Sequence, residues 1–220
     1  MTEIPYFPAT APTVFADADQ VRRWLASTLD ALRDTTADAA RSPERLGAPT
    51  PCAGYDLRAL LEHVLGWLDL FGHAFADPGR EQPRPDPETF RLAALGDDPA
   101  AGAASLVSDA AGRLDAALAA AVLDRRVVMA QAQMDGPAAI AMVLGEYLVH
   151  GWDIAVSTGQ DWSPDPEACD AAYRFFEGMI TPDYRGPEGF FGEQMPVPAD
   201  ASARDRLLGL AGRDPGWHAG

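Results

Sequence analysis

The side chains able to do chemistry gather in DGPAAIAMVLGEYLVHGWDIAVSTGQ, residues 135–160. From Ala138 to Val156 this stretch has the length of a helix of about five turns. Glu146, His150 and Asp153 carry its strongly polar groups, and apolar residues otherwise surround the axis. A helix that is apolar all round is a buried one. Burying a lone carboxylate is costly unless a positive group meets it. Glu146 and His150 are four residues apart, so they stack on one face. A divalent metal would satisfy both side chains. A plain Glu–His hydrogen bond at the edge of a helix bundle is the other reading. Without a metal, burial is expected to push Glu146 toward its protonated form.

The rest of the chain must position that pair. Asp17 or Asp19 is a suitable N-cap for a helix running to about Ala40, with Val21, Trp24, Leu25, Leu29 and Leu32 as its apolar stripe. Residues 42–55 are a loop by their Pro and Gly content. A second helix is predicted from about Asp56, its N-cap, to Ala76, with Leu57, Leu60, Leu61, Val64, Leu68, Phe71 and Phe75 facing inward. His63 sits at the flank of that stripe, in line with Leu60 and Trp67, where a histidine is either a core-edge residue or a ligand. His73 is expected at the surface. Residues 77–90, with four prolines, read as an irregular loop.

A third helix is predicted over about Pro99–Ala121, with Leu106, Leu114 and Leu118 inward, followed by an extended piece at Val127–Met129. After the 135–160 stretch, Ser163-Pro164 is read as the N-cap and first turn of a helix to about Ile180. A short helix at about Ser202–Ala211 precedes the tail. Four long helices, shorter ones and little strand make an all-α bundle with Pro/Gly-rich loops, expected to form a single domain over residues 1–220.

Composition removes many alternatives. All 17 basic residues are Arg, and Lys and Asn are absent, so Schiff-base and P-loop lysines and a Cys-His-Asn triad are excluded. Cys52 and Cys169 make neither a disulfide framework nor a thiolate zinc site. The net charge of −16 repels phosphate backbones and anionic membranes, so neither nucleic acid nor membrane is an expected partner. The N-terminus lacks a basic region followed by an apolar one, and a cytoplasmic location is expected.

His63 from the second helix, with Glu146 and His150 from the fourth, forms a set of two histidines and a carboxylate. Such a set leaves coordination positions open, whereas a closed structural zinc site uses four protein ligands. Zinc is the default ion for it, and nickel or ferrous iron also suits it. Asp153, three residues after His150, is read as a residue that orients a ligand histidine or caps the helix. Trp67, Tyr147 and Trp152 are either pocket walls or core. Cys52 precedes the second helix, where a thiol with lowered pKa or a buried turn residue is expected.

Three blocks of sequence resemble a known family. TPCAGYDLRALLEHV (50–64) resembles the block of the DinB-like superfamily in which T-P-C and an aromatic residue precede a helix ending in L-x-H-V. GEYLVHGWDIAVSTGQ (145–160) resembles the E-x-x-x-H-x-W-D-x-A-x-A-T-G block of its actinobacterial branch, related to the N-terminal domain of mycothiol-dependent maleylpyruvate isomerase. LLGLAGRDPGW (207–217) resembles the L-L-x-x-x-G-R-D-P-x-W ending of one subfamily, in which Trp217 is expected to pack and Arg213 to pair with an acid. Tyr55 stands where the family has Trp.

The resemblance implies a DinB-like four-helix bundle holding a divalent metal through His63, Glu146 and His150. It implies an enzyme, a transferase or isomerase, that takes mycothiol as co-substrate and a small electrophile as substrate. A metal-dependent hydrolase and a non-catalytic metal- or ligand-binding sensor or stress protein are the alternatives. A homodimer is compatible with all of these. The isomerase has a separate C-terminal domain that helps to form its active site, and the present length leaves no room for one, so isomerisation of maleylpyruvate itself is not expected.

Overall fold

Five aspartates and serines start the helices. In the computed structural model, which describes residues 4–80, 82–186 and 189–219, Asp17 accepts from the Gln20 amide to open α1 (Ala18–Ala40) and Asp56 accepts from Ala59 to open α2 (Leu57–Ala76). Asp98 does the same for α3 (Pro99–Ala119), Asp165 for α5 (Pro166–Met179) and Ser202 for α6 (Ala203–Leu210). Each such cap satisfies an amide that has no partner within its helix, a contribution of about 1 kcal/mol. The long fourth helix, α4 (Gly136–Thr158), ends at Gly159, whose φ of 72° suits the left-handed position after a helix. Arg45 covers the exposed carbonyl end of α4 by donating to Thr158 O at 2.7 Å.

Helices α1 to α4 form a bundle in which α3 packs on both α1 and α2, and α4 packs against α1, α2 and α5, with α6 on α5. One hydrophobic cluster runs from Phe15 to Ala211. The fold is all-α apart from a two-stranded hairpin, β1 (Arg126–Val128) and β2 (Gln133–Asp135), paired antiparallel with Val127 opposite Met134. The apolar stripes of α1 and α2 are buried at every position expected of them. By its length and apolar character α4 passes the test for a membrane-crossing helix, but 83 % of its most apolar window lies inside the protein. It is the core helix of the bundle. Its glycines allow that burial: a Cβ at Gly145 would strike the Phe176 ring, and one at Gly151 the Trp162 ring.

Two local expectations change. The fifth helix begins at Asp165-Pro166 and not at Ser163-Pro164. SPDP holds two cap-plus-proline pairs in tandem; the second starts the helix, with Trp162 before it buried against Gly151 and donating to Leu148 O at 3.0 Å. On α3, Leu106 is half-buried; the inward stripe is Ala103, Val107, Ala110, Leu114 and Leu118.

Candidate metal centre

The bundle brings His63 of α2 against the face of α4 that bears Glu146 and His150. One donor atom from each of the three lies within 4.8 Å of the others. The two imidazole rings meet edge to face, with centroids 5.2 Å apart at 71°. His150 Nε2 lies 3.4 Å from Glu146 Oε2, and the Glu146 side chain is 27 % exposed, so this face of α4 opens toward solvent.

Each histidine is held at its other nitrogen by a second carboxylate. His150 Nδ1 lies 2.9 Å from Asp153 Oδ2. His63 Nδ1 lies 2.8 Å from Glu88 Oε1, which also accepts from Trp67 Nε1 at 2.6 Å. A carboxylate that accepts a hydrogen bond from Nδ1–H fixes the tautomer with the proton on Nδ1 and leaves the Nε2 lone pair for a ligand. Glu88 comes from a 3-10 turn, Pro87–Thr89, capped by Asp86 and seated on Gly66 of α2. Glu62 tethers the same segment by accepting from the Leu92 amide at 3.0 Å.

The two histidines differ in charge. Burial and the neighbouring His150 lower the pKa of His63, which favours its neutral, ligating form. Burial alone would lower His150 as well, but Asp153 and Glu146 on its two sides raise it to about 9. Burial pushes Glu146 up, yet its hydrogen bond to His150 and the charges of His150, His63 and Arg213 outweigh that and leave its pKa lowered. Contrary to the expectation of a Glu146 that protonates without metal, its pKa is lowered, mainly by its hydrogen bond to His150.

Cys52, His150 and Asp153 form a second cluster of potential ligands. Arg213 already stands among them, with Nη2 3.0 Å from Asp153 Oδ2 and 3.1 Å from Cys52 Sγ. A guanidinium occupies the place a cation would need there, which leaves His63, Glu146 and His150 as the candidate cluster. Cys52 is not an activated thiol; burial pushes it up to about 11 despite the nearby Arg213.

The sequence matches the family described as the mycothiol maleylpyruvate isomerase N-terminal domain over residues 25–155. The chain belongs to that family. Two uncharacterized proteins of Mycobacterium tuberculosis, from strains CDC 1551 / Oshkosh and ATCC 25618 / H37Rv, are each 28 % identical to it over 170 residues, covering 77 % of this chain and 86 % of theirs. No solved structure matches it significantly. The mycothiol maleylpyruvate isomerase N-terminal domain family is DinB-like, mycothiol-related and metal-binding. The matched span contains His63, Glu88, Glu146, His150 and Asp153 but not Arg213.

The expected pocket residues separate in space. Trp67 reaches the site through Glu88, and its ring centroid is 6.2 Å from that of His63. Tyr55 adds an aromatic edge at 5.3 Å from His63. Tyr147 is buried against Phe71, and its hydroxyl has no hydrogen-bond partner among the described residues. Trp152 lies about 200° around α4 from His150 and is buried in the core. Glu88 had no signal in the sequence: it sits in a proline-rich loop without periodicity.

Proposed function

We propose that the protein is a divalent-metal-dependent enzyme that uses a low-molecular-weight thiol of the mycothiol type and transfers it to, or isomerises with it, a small electrophile. The observation that carries this reading is the pairing of His63 Nδ1 with Glu88 and of His150 Nδ1 with Asp153, in a cluster where one donor atom from each histidine and from Glu146 lie within 4.8 Å of one another. His63, Glu146 and His150 would hold the ion, and zinc is the ion expected for two histidines and a glutamate. Bound there, a divalent cation lowers the pKa of a thiol that reaches it and stabilises the thiolate as nucleophile.

The chain's own residues supply the rest. Glu88 and Asp153 hold the histidines in the ligating tautomer. Two neutral imidazoles and one carboxylate balance only one of the ion's two charges, so the site attracts an anionic sulfur. Tyr55 and Trp67 form the aromatic side of the approach to His63. Cys52 and Cys169 are free thiols, and burial raises both, so neither competes as a nucleophile at neutral pH. A reduced thiol pool as co-substrate places the enzyme in the cytoplasm.

The test is elemental analysis of protein purified without added metal, followed by assays of electrophile conversion with the thiol present, in which a transferase consumes the thiol and an isomerase returns it. One equivalent of metal and metal- and thiol-dependent conversion support the proposal. Metal and thiol binding without turnover would replace the enzyme with a binding protein.

A further inference from the structure

We infer that Arg213 is a positioning residue of the metal centre, so that the segment after α6 is a working part of a site otherwise built from α2 and α4. The inference rests on the metal reading above and adds to it a residue outside the matched family span. Arg213 is 7 % exposed and Asp153 is wholly buried. Asp153 Oδ2 accepts from His150 Nδ1 at 2.9 Å and from Arg213 Nη2 at 3.0 Å, so one oxygen joins the two side chains. Arg213 Nε lies 3.4 Å from both carboxylate oxygens.

Arg213 is itself fixed. Its backbone amide donates to Leu208 O at 2.9 Å, and Nη1 donates to Ala211 O at 2.8 Å. Gly212, at φ 83° and packed on the Gly192 backbone, makes the turn that sends Arg213 inward. The guanidinium therefore reaches Asp153, Ala211 O and Cys52 Sγ together, which a planar fork can do and a single ammonium cannot. Its charge also compensates a carboxylate that no water reaches. Without Arg213 the Asp153 carboxylate loses its fixed direction, and the His150 ring that it aims at the ligand position loses its own.

Zinc affinity by chelator competition, with helicity and thermal melting measured in parallel, tests this on the full chain. Arg213→Met should retain helicity and bind zinc about 10- to 100-fold more weakly, the usual effect of losing a partner that orients a ligand. Arg213→Lys should recover part of the loss. If Arg213→Met does not fold, the doubly neutral variant Asp153→Asn with Arg213→Met removes the unpaired buried charge and should fold yet still bind zinc weakly. A folded variant lacking Arg213 that binds zinc as tightly as the wild type overturns the inference alone. A wild type that binds no zinc overturns the metal reading and the inference with it.

Discussion

His150 is clamped between two carboxylates of its own helix: Nε2 lies 3.4 Å from Glu146 one turn before, and Nδ1 lies 2.9 Å from Asp153 one turn after. The two ends have different jobs. Asp153 is buried and tied to Arg213, so it orients; Glu146 is partly exposed and stands beside His63, so it can ligate. The ligand pair itself gives the first prediction. His150→Ala and Glu146→Gln should each abolish or sharply weaken metal binding with helicity retained, because the apolar stripes that hold the bundle do not depend on them. Elemental analysis and circular dichroism check this. Full metal retention by either variant would remove that residue from the site.

Glu88 should matter although it touches no ion. Glu88→Ala frees His63 Nδ1 and leaves the Trp67 indole without its acceptor. Metal affinity is expected to fall by about 10-fold or more, and the fluorescence of the variant should shift as the Trp67 indole loses its carboxylate partner. Unchanged affinity together with unchanged fluorescence would show that Glu88 is an ordinary surface acid.

Much of this was legible in the sequence because helical periodicity is a strong constraint. The four-residue spacing of Glu146 and His150 fixes them to one face whatever the surroundings, and the stripe of α2 fixes where His63 sits relative to Leu60 and Trp67. What escaped depends on contacts between distant segments. Nothing in a proline-rich loop marks Glu88 as the partner of His63. The tail sequence suggested an acid for Arg213, but 60 residues separate it from Asp153, and only the packing of the tail against α4 makes the match. For Glu146 the spacing shows both the burial and the nearby His150, but not that the bond and charge of His150, helped by His63 and Arg213, outweigh the burial; that balance depends on distances only the fold sets.

The close approach of α5 to α4 predicts that two glycines respond oppositely to alanine. Gly145→Ala puts a methyl into the Phe176 ring and should destabilise the protein by about 1–3 kcal/mol. Gly112→Ala, in the exposed middle of α3 with open space around its Cα, should stabilise it by about 0.5–1 kcal/mol through helix propensity. Denaturant melts of the two variants against the wild type measure both signs. A neutral Gly145→Ala would mean that α4 and α5 can part without cost.

The last prediction concerns pH and the metal-free protein. His150 has an ordinary pKa of 6.5 and is raised to about 9 in the fold. A raised folded pKa means that the folded state binds the proton more tightly than the unfolded chain, so the stabilisation is complete below 6.5 and is lost as pH rises through about 9. The shift corresponds to at most about 3 kcal/mol. At the acid end the signs reverse: Glu146 and Asp153 are lowered, so their contribution is present above the ordinary carboxylate range and fades as pH falls below it. His63 is lowered, so its contribution is present above its ordinary pKa of 6.5 and fades as pH falls below it. Metal-free protein should therefore be most stable near neutral pH and weaken toward pH 9. A metal must displace the His150 proton, so its apparent affinity should climb over that same range and each binding event should release a proton. The loaded protein should then melt with little dependence on pH between 6.5 and 9. Melts of both forms, with proton release measured in buffers of different ionisation enthalpy, are the test. If His150→Gln leaves the metal-free pH profile unchanged, the group that titrates is not His150, and the two-carboxylate clamp does not control the site.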